Sequence, residues 1–512
     1  MMPQTLPTNS SVANACDSHA QHDRQMALVA RGTLMVSAAT FFGLGLNYIY
    51  AILLARMLGT GEFGLFSLAL AVFNVLSLLA LGGLDSAVLK FVTAHSARTD
   101  PAGARATVRN VLCHSIVLGT LFGSMLFLGS SPIAEQFFQK PELSALLILA
   151  AVGIPIWTTS SVLVSTLQAL QKVSQRIGIK YVSEPLAKMV FTVLLFIGGL
   201  SAQRAFGAFI LALALSVLLA FLALRILLPA SPHTRDSPVS NREIMVFSLP
   251  LLGGMGFASL AARVDILLLG YWAATSEVGI YSAAFQTSAI LALILGSLES
   301  VALPMFSEAI ARNDTSGLQR LYVTVMRWAL TGALPIFLIM IIFPEAILSL
   351  FGSQFTEGAL CLIVLATGQI VNSATGTIHS LLLFAGHSKL VMWTTVSASL
   401  FRIVLGALLI PEHGMIGAAI AVASGSILLS VVRFIQCLVI LKMQPYDRAV
   451  WKPLFSIFGA AVAMVAINRW AHVDNPIALM SVSLMTYLML IVSLGLEKND
   501  RSILLGWREK SV

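Results

Sequence analysis

Apolar residues run along this chain in long blocks separated by short polar clusters. The blocks lie near 31–55, 65–84, 111–129, 143–167, 181–199 and 205–228. A second set follows near 244–270, 279–303, 323–344, 358–384, 390–410 and 415–440, with two more at 453–470 and 476–496. A helix crosses the hydrocarbon core with about 20 apolar residues at roughly 1.5 Å each, and these blocks qualify. They are too long for the strands of an outer-membrane barrel and lack its alternating ten-residue pattern. The pattern predicts an all-α polytopic membrane protein of about 14 transmembrane helices.

Within that pattern one punctuation mark occurs twice. Residues 52–69 read ILLARMLGTGEFGLFSLA and residues 267–284 read LLLGYWAATSEVGIYSAA. Aligned without gaps, they share Leu53/Leu268, Leu54/Leu269, Thr60/Thr275, Glu62/Glu277, Gly64/Gly279, Ser67/Ser282 and Ala69/Ala284. Nearly the same offset places LDSAVLKF (84–91) opposite LESVALPMF (298–306), and AKMV (187–190) opposite FRIV (401–404). A common spacing over three separate matches predicts an internal repeat. The Pro- and Ser-rich stretch PASPHTRDSPVSN, 229–241, is the natural seam. The expected organisation is a disordered cytoplasmic tail (1–27), an N-lobe of spans one to six (28–228) and a cytoplasmic linker (229–241). A C-lobe of spans seven to twelve (242–440), spans thirteen and fourteen (441–496) and a cytoplasmic tail (497–512) complete it. Two six-span halves that both begin inside are related by a pseudo-two-fold along the membrane normal.

Composition agrees with the pattern. The 512 residues are 57% hydrophobic and only 11% charged, with mean hydropathy +0.89, whereas soluble domains run near a quarter charged. Of the 31 Lys and Arg, an N-terminus in the cytoplasm puts 24 in inside connections. Only Arg56, Lys140, Arg204 and Arg469 fall outside, and Lys188, Arg263 and Arg402 lie within spans. This is the asymmetry of topology signals, and it excludes a nucleic-acid face as the meaning of the +8 net charge. Cys16, Cys113, Cys361 and Cys437 lie far apart without ligand spacing, so neither a metal nor a structural disulfide is expected. His19 and His22 read as solvated tail residues. No GxxxxGK[ST] loop occurs, which argues against direct ATP use.

The segment ARGTLMVSAATFFGLGLNYIYAILLARMLGTGEFGLFSLALAVFNVLSLLALGGLDSAVLKFV, residues 30–92, resembles the opening of Wzx-type polysaccharide-biosynthesis flippases. These belong to the multidrug/oligosaccharidyl-lipid/polysaccharide exporter superfamily. DILLLGYWAATSEVGIYSAA, LPMFSEA at 303–309 and IPEHGMIGAAIA at 410–421 extend the resemblance over roughly residues 28–440. The resemblance implies translocation of an undecaprenyl-diphosphate-linked oligosaccharide from the inner to the outer leaflet of the bacterial cytoplasmic membrane. The product would feed O-antigen (lipopolysaccharide), capsule or exopolysaccharide assembly. It also implies alternating access of two lobes around a central cavity, no cofactor and no bond chemistry. Membrane lipids and polysaccharide polymerase machinery are the implied partners. Two other functions stand against it. A drug/cation antiporter of the same superfamily typically carries an acidic residue in its first span, and residues 32–55 hold no Asp or Glu. A membrane polysaccharide polymerase or ligase usually carries a substantial periplasmic loop, and the outside connections here are short.

A flippase must lower the cost of moving a diphosphate headgroup through hydrocarbon, so cations inside spans are the candidates. An ionisable group there costs about 2.5–3.5 kcal/mol on insertion scales. Arg402 lies 13 residues beyond Lys389, roughly 20 Å into span eleven and near the midplane. Lys188 is its repeat counterpart, and Arg263 sits late in span seven. The plainer reading is that each pairs with a carboxylate: Glu184 stands four residues before Lys188 on one helix face. Asp265, two after Arg263, lies on a different face, so those two need partners from other helices. Asp85 and Glu299, related by the repeat at the cytoplasmic ends of spans two and eight, are candidates for a gate or ion pairs, with Arg31 as one partner. His379 in span ten reads as a proton site or a hydrogen-bonded core histidine. Gly43, Gly45, Gly253, Gly254 and Gly256 in spans one and seven, and Pro155, Pro185, Pro250 and Pro335, are candidates for close packing or bending.

Overall fold

The computed structural model describes the backbone of residues 9–98, 100–196, 199, 201–227, 239–444, 446, 448–471 and 476–493. It describes side chains within these from residue 38 onward, apart from 250, 252–256, 258–259, 465–471, 476–478 and 492. Every regular element among the described residues is helical. In chain order they are α1 (Asn9–Leu81), α2 (Leu84–Ala97), α3 (Pro101–Ser131), α4 (Leu143–Ala169), α5 (Val173–Ile177), α6 (Glu184–Phe196) and α7 (Ala202–Leu227). Then come α8 (Asn241–Trp272), α9 (Thr275–Ser288), α10 (Ile290–Ala311), α11 (Thr315–Ile342), α12 (Pro344–Leu348), α13 (Ala359–Thr375) and α14 (Ile378–Phe384). The last are α15 (Ser388–Gln436), α16 (Trp451–Ala471) and α17 (Pro476–Ser493). The described residues of the apolar blocks lie mainly in these helices. Among the described residues, eight stretches are long and apolar enough to cross a membrane.

Two of these eight are far longer than one crossing, and both are folded at a glycine. Ala38–Leu81 has 44 residues and Ser388–Leu441 has 54, against the about 20 that span hydrocarbon. Gly59 (φ 74°, ψ 178°) interrupts the first and Gly414 (φ 53°, ψ −131°) the second, both in the positive-φ region that glycine adopts without steric penalty. The arms of α1 return to one end of the bundle. Gly43 lies against Tyr181, and Leu84, just beyond the second arm, packs in one cluster with Ala169. In α15, Arg402 of the first arm lies against Gly425 of the second.

The helix α1 begins at Asn9, inside the stretch 1–27 that the sequence reading expected to be a disordered tail. The physical reason is local. Residues 8–31 contain neither Gly nor Pro, so a helix nucleated in the first apolar block extends backward without a breaker. Residues 1–8, most of the 229–241 linker and the 497–512 tail lie outside the described residues.

α3, α4 and α7 pack together with α6 and α1 in the first half, and α8, α9, α11, α13 and α15 pack together in the second. The two halves meet along α1, which lies against α8 and α9, while α16 and α17 pair with each other and lean on α11. The same capping device opens the third block of each half. Asp100 accepts from Gly103 N at 2.9 Å at the start of α3, and Asp314 accepts from Gly317 N at 2.8 Å at the start of α11. These two Asp-x-x-Gly caps stand 214 positions apart. The Gly103 and Gly317 N–H groups hold the two carboxyls below the usual carboxylate range. A depressed carboxyl favours the folded state at neutral pH, and that support is lost only as pH falls below about 4.

The repeated glycine turn is where the halves touch most closely. A Cβ on Gly64 would overlap the Thr275 carbonyl, and a Cβ on Gly279 would overlap the Thr60 carbonyl. The contact is reciprocal, as two-fold-related surfaces require. Around it, Arg56 Nε donates to Leu350 O at 2.6 Å, Lys140 Nζ to Gly270 O at 2.7 Å, and Tyr48 and Thr287 share a hydrogen bond at 3.0 Å. Phe63 and Tyr48 meet Phe355 and Phe351 edge to face. The glutamates of the motif cap helix starts within their own halves. Ala202 N donates to Glu62 Oε2 at 2.6 Å and Met415 N to Glu277 Oε2 at 3.1 Å, so each carboxylate meets an unpaired N–H at the positive end of a helix. Overpacking a closed contact costs about 1–3 kcal/mol. Gly64→Ala and Gly279→Ala are each expected to lower the melting temperature of the purified protein. Gly61→Ala, whose Cβ would meet only Thr275 Oγ1 at 3.8 Å, is expected to leave it unchanged. Equal melting curves for all three would remove the contact from the architecture.

Candidate functional site

Lys188 is placed by α6, whose i,i+4 spacing forms a ladder of charges. Its Nζ lies 2.9 Å from Glu184 Oε1, and Lys180 Nζ lies 2.9 Å from Glu184 Oε2. Glu184 is buried and shared by the two ammonium groups, while Lys180 keeps a third of its side chain exposed. Lys188 itself is 9% exposed, and its Nζ sits 5.2 Å from the centroid of the Phe209 ring on α7, a cation–π contact. One turn further along α6, Thr192 bonds Tyr50 of α1 at 3.2 Å and ties the site to the helix that touches the other half.

Arg402 projects from the first arm of α15 toward α8. Its NH2 is 3.7 Å from Asp265 Oδ1, and both atoms are buried without a hydrogen-bond partner among the described residues. The distance exceeds the 2.7–2.9 Å of a charge-assisted hydrogen bond, so the pair is loose. Asp265 is held from its other side, where Tyr281 donates to Oδ2 at 2.5 Å. The arginine stem lies on Gly425, where any Cβ would overlap it. Arg263, two residues before Asp265, is half-buried and has no ion pair among the described residues. Its different helical face keeps it off Asp265.

The two repeat-related carboxylates occupy unlike surroundings. Asp85 sits in the first turn of α2 with Oδ1 buried and unpartnered among the described residues. Glu299 on α10 accepts from Ser380 Oγ of α14, within its own half. Arg433 of α15 stands within electrostatic range of Glu299 and meets His379 Nδ1 at 3.3 Å. The geometry therefore gives His379 a hydrogen-bonded interior position. The side chain of Arg31 and the surroundings of Gly253, Gly254 and Gly256 are outside what the structure describes; Gly43 is packed tightly on Tyr181 and Gly45 has open space around it.

The structure thus assembles two of the three cationic candidates with carboxylates, Lys188 with Glu184 and Arg402 with Asp265, and gives Arg263 no ion pair among the described residues. It adds four residues that the sequence reading passed over: Phe209, Tyr281, Gly425 and Lys180 as a second partner of Glu184. Only Lys180 carried a readable signal, since 180, 184 and 188 repeat at four-residue spacing. Chemically the arrangement offers buried cations, one of them in a loose ion pair, and so can bind an anionic group.

Comparison with known proteins places these features in context. The Polysaccharide biosynthesis protein family model matches residues 29–310, and the MatE model matches 250–408. The chain is 23% identical over 439 residues to the "Probable low-salt glycan biosynthesis flippase Agl15" of Haloferax volcanii, covering 85% of this chain and 89% of that protein. It is 23% identical over 353 residues to the "Succinoglycan biosynthesis transport protein ExoT" of Rhizobium meliloti, covering 68% of each. The fold superposes on the structure of "Lipid II flippase MurJ, inward closed conformation" with TM-score 0.70 at 15% identity, over 89% of this chain and 97% of that one. The family match covers more than half of the 512 residues, and the chain, a multi-pass membrane protein, belongs to the polysaccharide biosynthesis protein family.

Proposed function

We propose that this chain is a flippase that carries undecaprenyl-diphosphate-linked oligosaccharide from the inner to the outer leaflet of the bacterial cytoplasmic membrane. The cargo serves O-antigen, capsule or exopolysaccharide assembly. In this reading 28–228 and 242–440 are two lobes of six spans each, 441–496 adds spans thirteen and fourteen, and both termini lie in the cytoplasm. The lobes alternate access to a space between them, which the repeated glycine contact closes at the outward end.

The observation that carries the reading is the sign of the interior charge. Each half sets a cation against a buried carboxylate, Lys188 against Glu184 and Arg402 against Asp265. Each adds a second cation nearby: Lys180 on Glu184 in one half and Arg263, with no ion pair among the described residues, in the other. A surplus of positive charge around these carboxylates favours an anionic cargo over a cationic one, which supports this reading over a cation antiporter. Arg402 suits a diphosphate because its loose pairing leaves NH2 free to take a phosphate oxygen, and a guanidinium binds phosphate in bidentate fashion. Asp265, oriented by Tyr281, balances that guanidinium when no cargo is present and limits the cost of a buried charge. An inside-negative potential of 100 mV adds about 2.3 kcal/mol per anionic charge to outward movement.

Proteoliposomes offered lipid-diphosphate oligosaccharide and a cationic dye side by side test the assignment. Flipping of the lipid and indifference to the dye are expected; dye transport alone would overturn it. A hydrogen bond to a charged group contributes about 1.5–3 kcal/mol, so Arg402→Ala is expected to slow flipping roughly ten- to a hundredfold, with Arg402→Lys between. Because Arg402→Ala strands Asp265, the pair Arg402→Ala/Asp265→Asn is measured beside it. Wild-type flipping by that folded double variant would sink the role of Arg402. Closure is tested separately, with Thr60→Cys/Thr275→Cys in a chain whose own four cysteines are replaced by serine. Oxidation is expected to stop flipping and reduction to restore it; undiminished flipping by the cross-linked form would show that this contact need not open.

A further inference from the structure

The outer face of the first half carries a groove that the cargo path does not use. α3 and α7 both pack on α4 but make no extensive contact with each other, and the gap between them is a cavity of about 520 Å³. Its α3 wall is one helical stripe, Arg105, Arg109, Leu112 and Ile116, spaced i, i+4, i+7 and i+11. Its α7 wall is Phe221, Leu224 and Arg225. All three arginines sit at the same end, because α3 begins there and α7 ends there. No Asp or Glu lines the cavity, and no described residue pairs with Arg105, Arg109 or Arg225.

The groove is closed at the back. Leu163 of α4 forms its floor and belongs to a buried apolar cluster with Val164, Leu167, Ala220 and Leu224. A molecule in the groove therefore has no way through to the face where the two halves meet. From Arg105 to Ile116 is eleven residues, about 16 Å of helix, which matches one leaflet of a roughly 30 Å hydrocarbon core. Cations at one rim, apolar walls over one leaflet's depth and a dead end together describe a resident lipid site.

We propose that this groove binds an anionic phospholipid, with its phosphate among Arg105, Arg109 and Arg225 and an acyl chain along Leu112, Ile116 and Phe221. Basic pockets between helices at the membrane surface recognise such headgroups by charge, and the apolar wall adds chain burial. The lipid would fill the space between α3 and α7 and brace the first half. The site is independent of what the chain transports, so it stands or falls apart from the flippase assignment.

Native mass spectrometry of the purified protein tests it, by titration with phosphatidylglycerol and phosphatidylcholine of the same acyl chains. Arg105→Gln/Arg109→Gln/Arg225→Gln is expected to weaken phosphatidylglycerol retention at least about tenfold, since each basic residue near an anionic headgroup contributes separately. Ile116→Trp, which fills the wall without touching charge, is expected to weaken it as well. Phosphatidylcholine retention is expected to be weak throughout. A control, Lys172→Gln/Arg320→Gln/Lys389→Gln, removes three exposed cations elsewhere and is expected to retain phosphatidylglycerol like the unmodified protein. Equal losses in the control and the arginine variant would reduce the effect to surface charge and overturn the site. So would equal retention of the two lipids, unchanged retention in Ile116→Trp, or displacement of phosphatidylglycerol by glycerol 3-phosphate, which has no chain to bury.

Discussion

Two pieces of backbone from the two halves lie within a methyl group's reach of each other, and the packing of the halves rests on that approach. Gly64 faces the Thr275 carbonyl while Gly279 faces the Thr60 carbonyl. Helices in lipid gain little from apolar burial, since the solvent is itself apolar, and depend on backbones that come close enough for dispersion contacts. A single methyl group on either glycine would separate them. The contact is made between repeat-related residues, so it lies on the pseudo-two-fold, where each lobe presents the same small surface to the other. The cations Arg56 and Lys140, bonded to carbonyls of the opposite half, flank this contact with directional bonds. Polar groups fix the register that the glycines leave free.

Much of this was legible in the sequence, and the reason is periodicity. Apolar blocks of spanning length can only be helices in a bilayer, and the offset of about 214 exposed the two halves. The glycine motif was readable as a repeat but not as a contact, because a motif in two copies does not say that the copies touch. Asp100 and Asp314 carried a further copy of the repeat in plain view, since Asp-x-x-Gly is a cap signature. The backward extension of α1 to Asn9 runs through a polar stretch, and its signal is only the absence of Gly and Pro over residues 8–31.

The site residues were legible one helix at a time. Glu184 and Lys188 share a helix, so their pairing followed from spacing, as it did in the structure. Arg402 and Asp265 are 137 positions apart on different helices, and nothing in either neighbourhood announces the other. That Asp265 and Arg263 face different ways and need partners on other helices follows from their spacing. Only the structure names Arg402 and Tyr281 as the partners of Asp265. Gly425 is invisible in the same way: its need for no side chain comes from the stem of Arg402 on the neighbouring arm. Tertiary partners of buried charges are a property of helix packing, and one sequence does not encode it in local pattern.

The hairpin motif and the deep cations are joined by single helices. Glu62 holds the first residue of α7, and seven residues along that helix Phe209 lies under the Lys188 ammonium. Glu277 holds Met415, and ten residues along the second arm of α15 Gly425 lies under the Arg402 stem. Those distances are about 10 and 15 Å of continuous helix, short enough to move as rigid bodies. A shift of either hairpin must pull on the helix start it caps, and with it the surface on which that lobe's cation rests. The two lobes use different contacts at the far end, an aromatic ring in one and a glycine in the other, yet the connection from glutamate to cation is the same. The repeated motif therefore does two physical jobs at once: its glycine sets how closely the lobes meet, and its glutamate ties that meeting point to the charge inside each lobe.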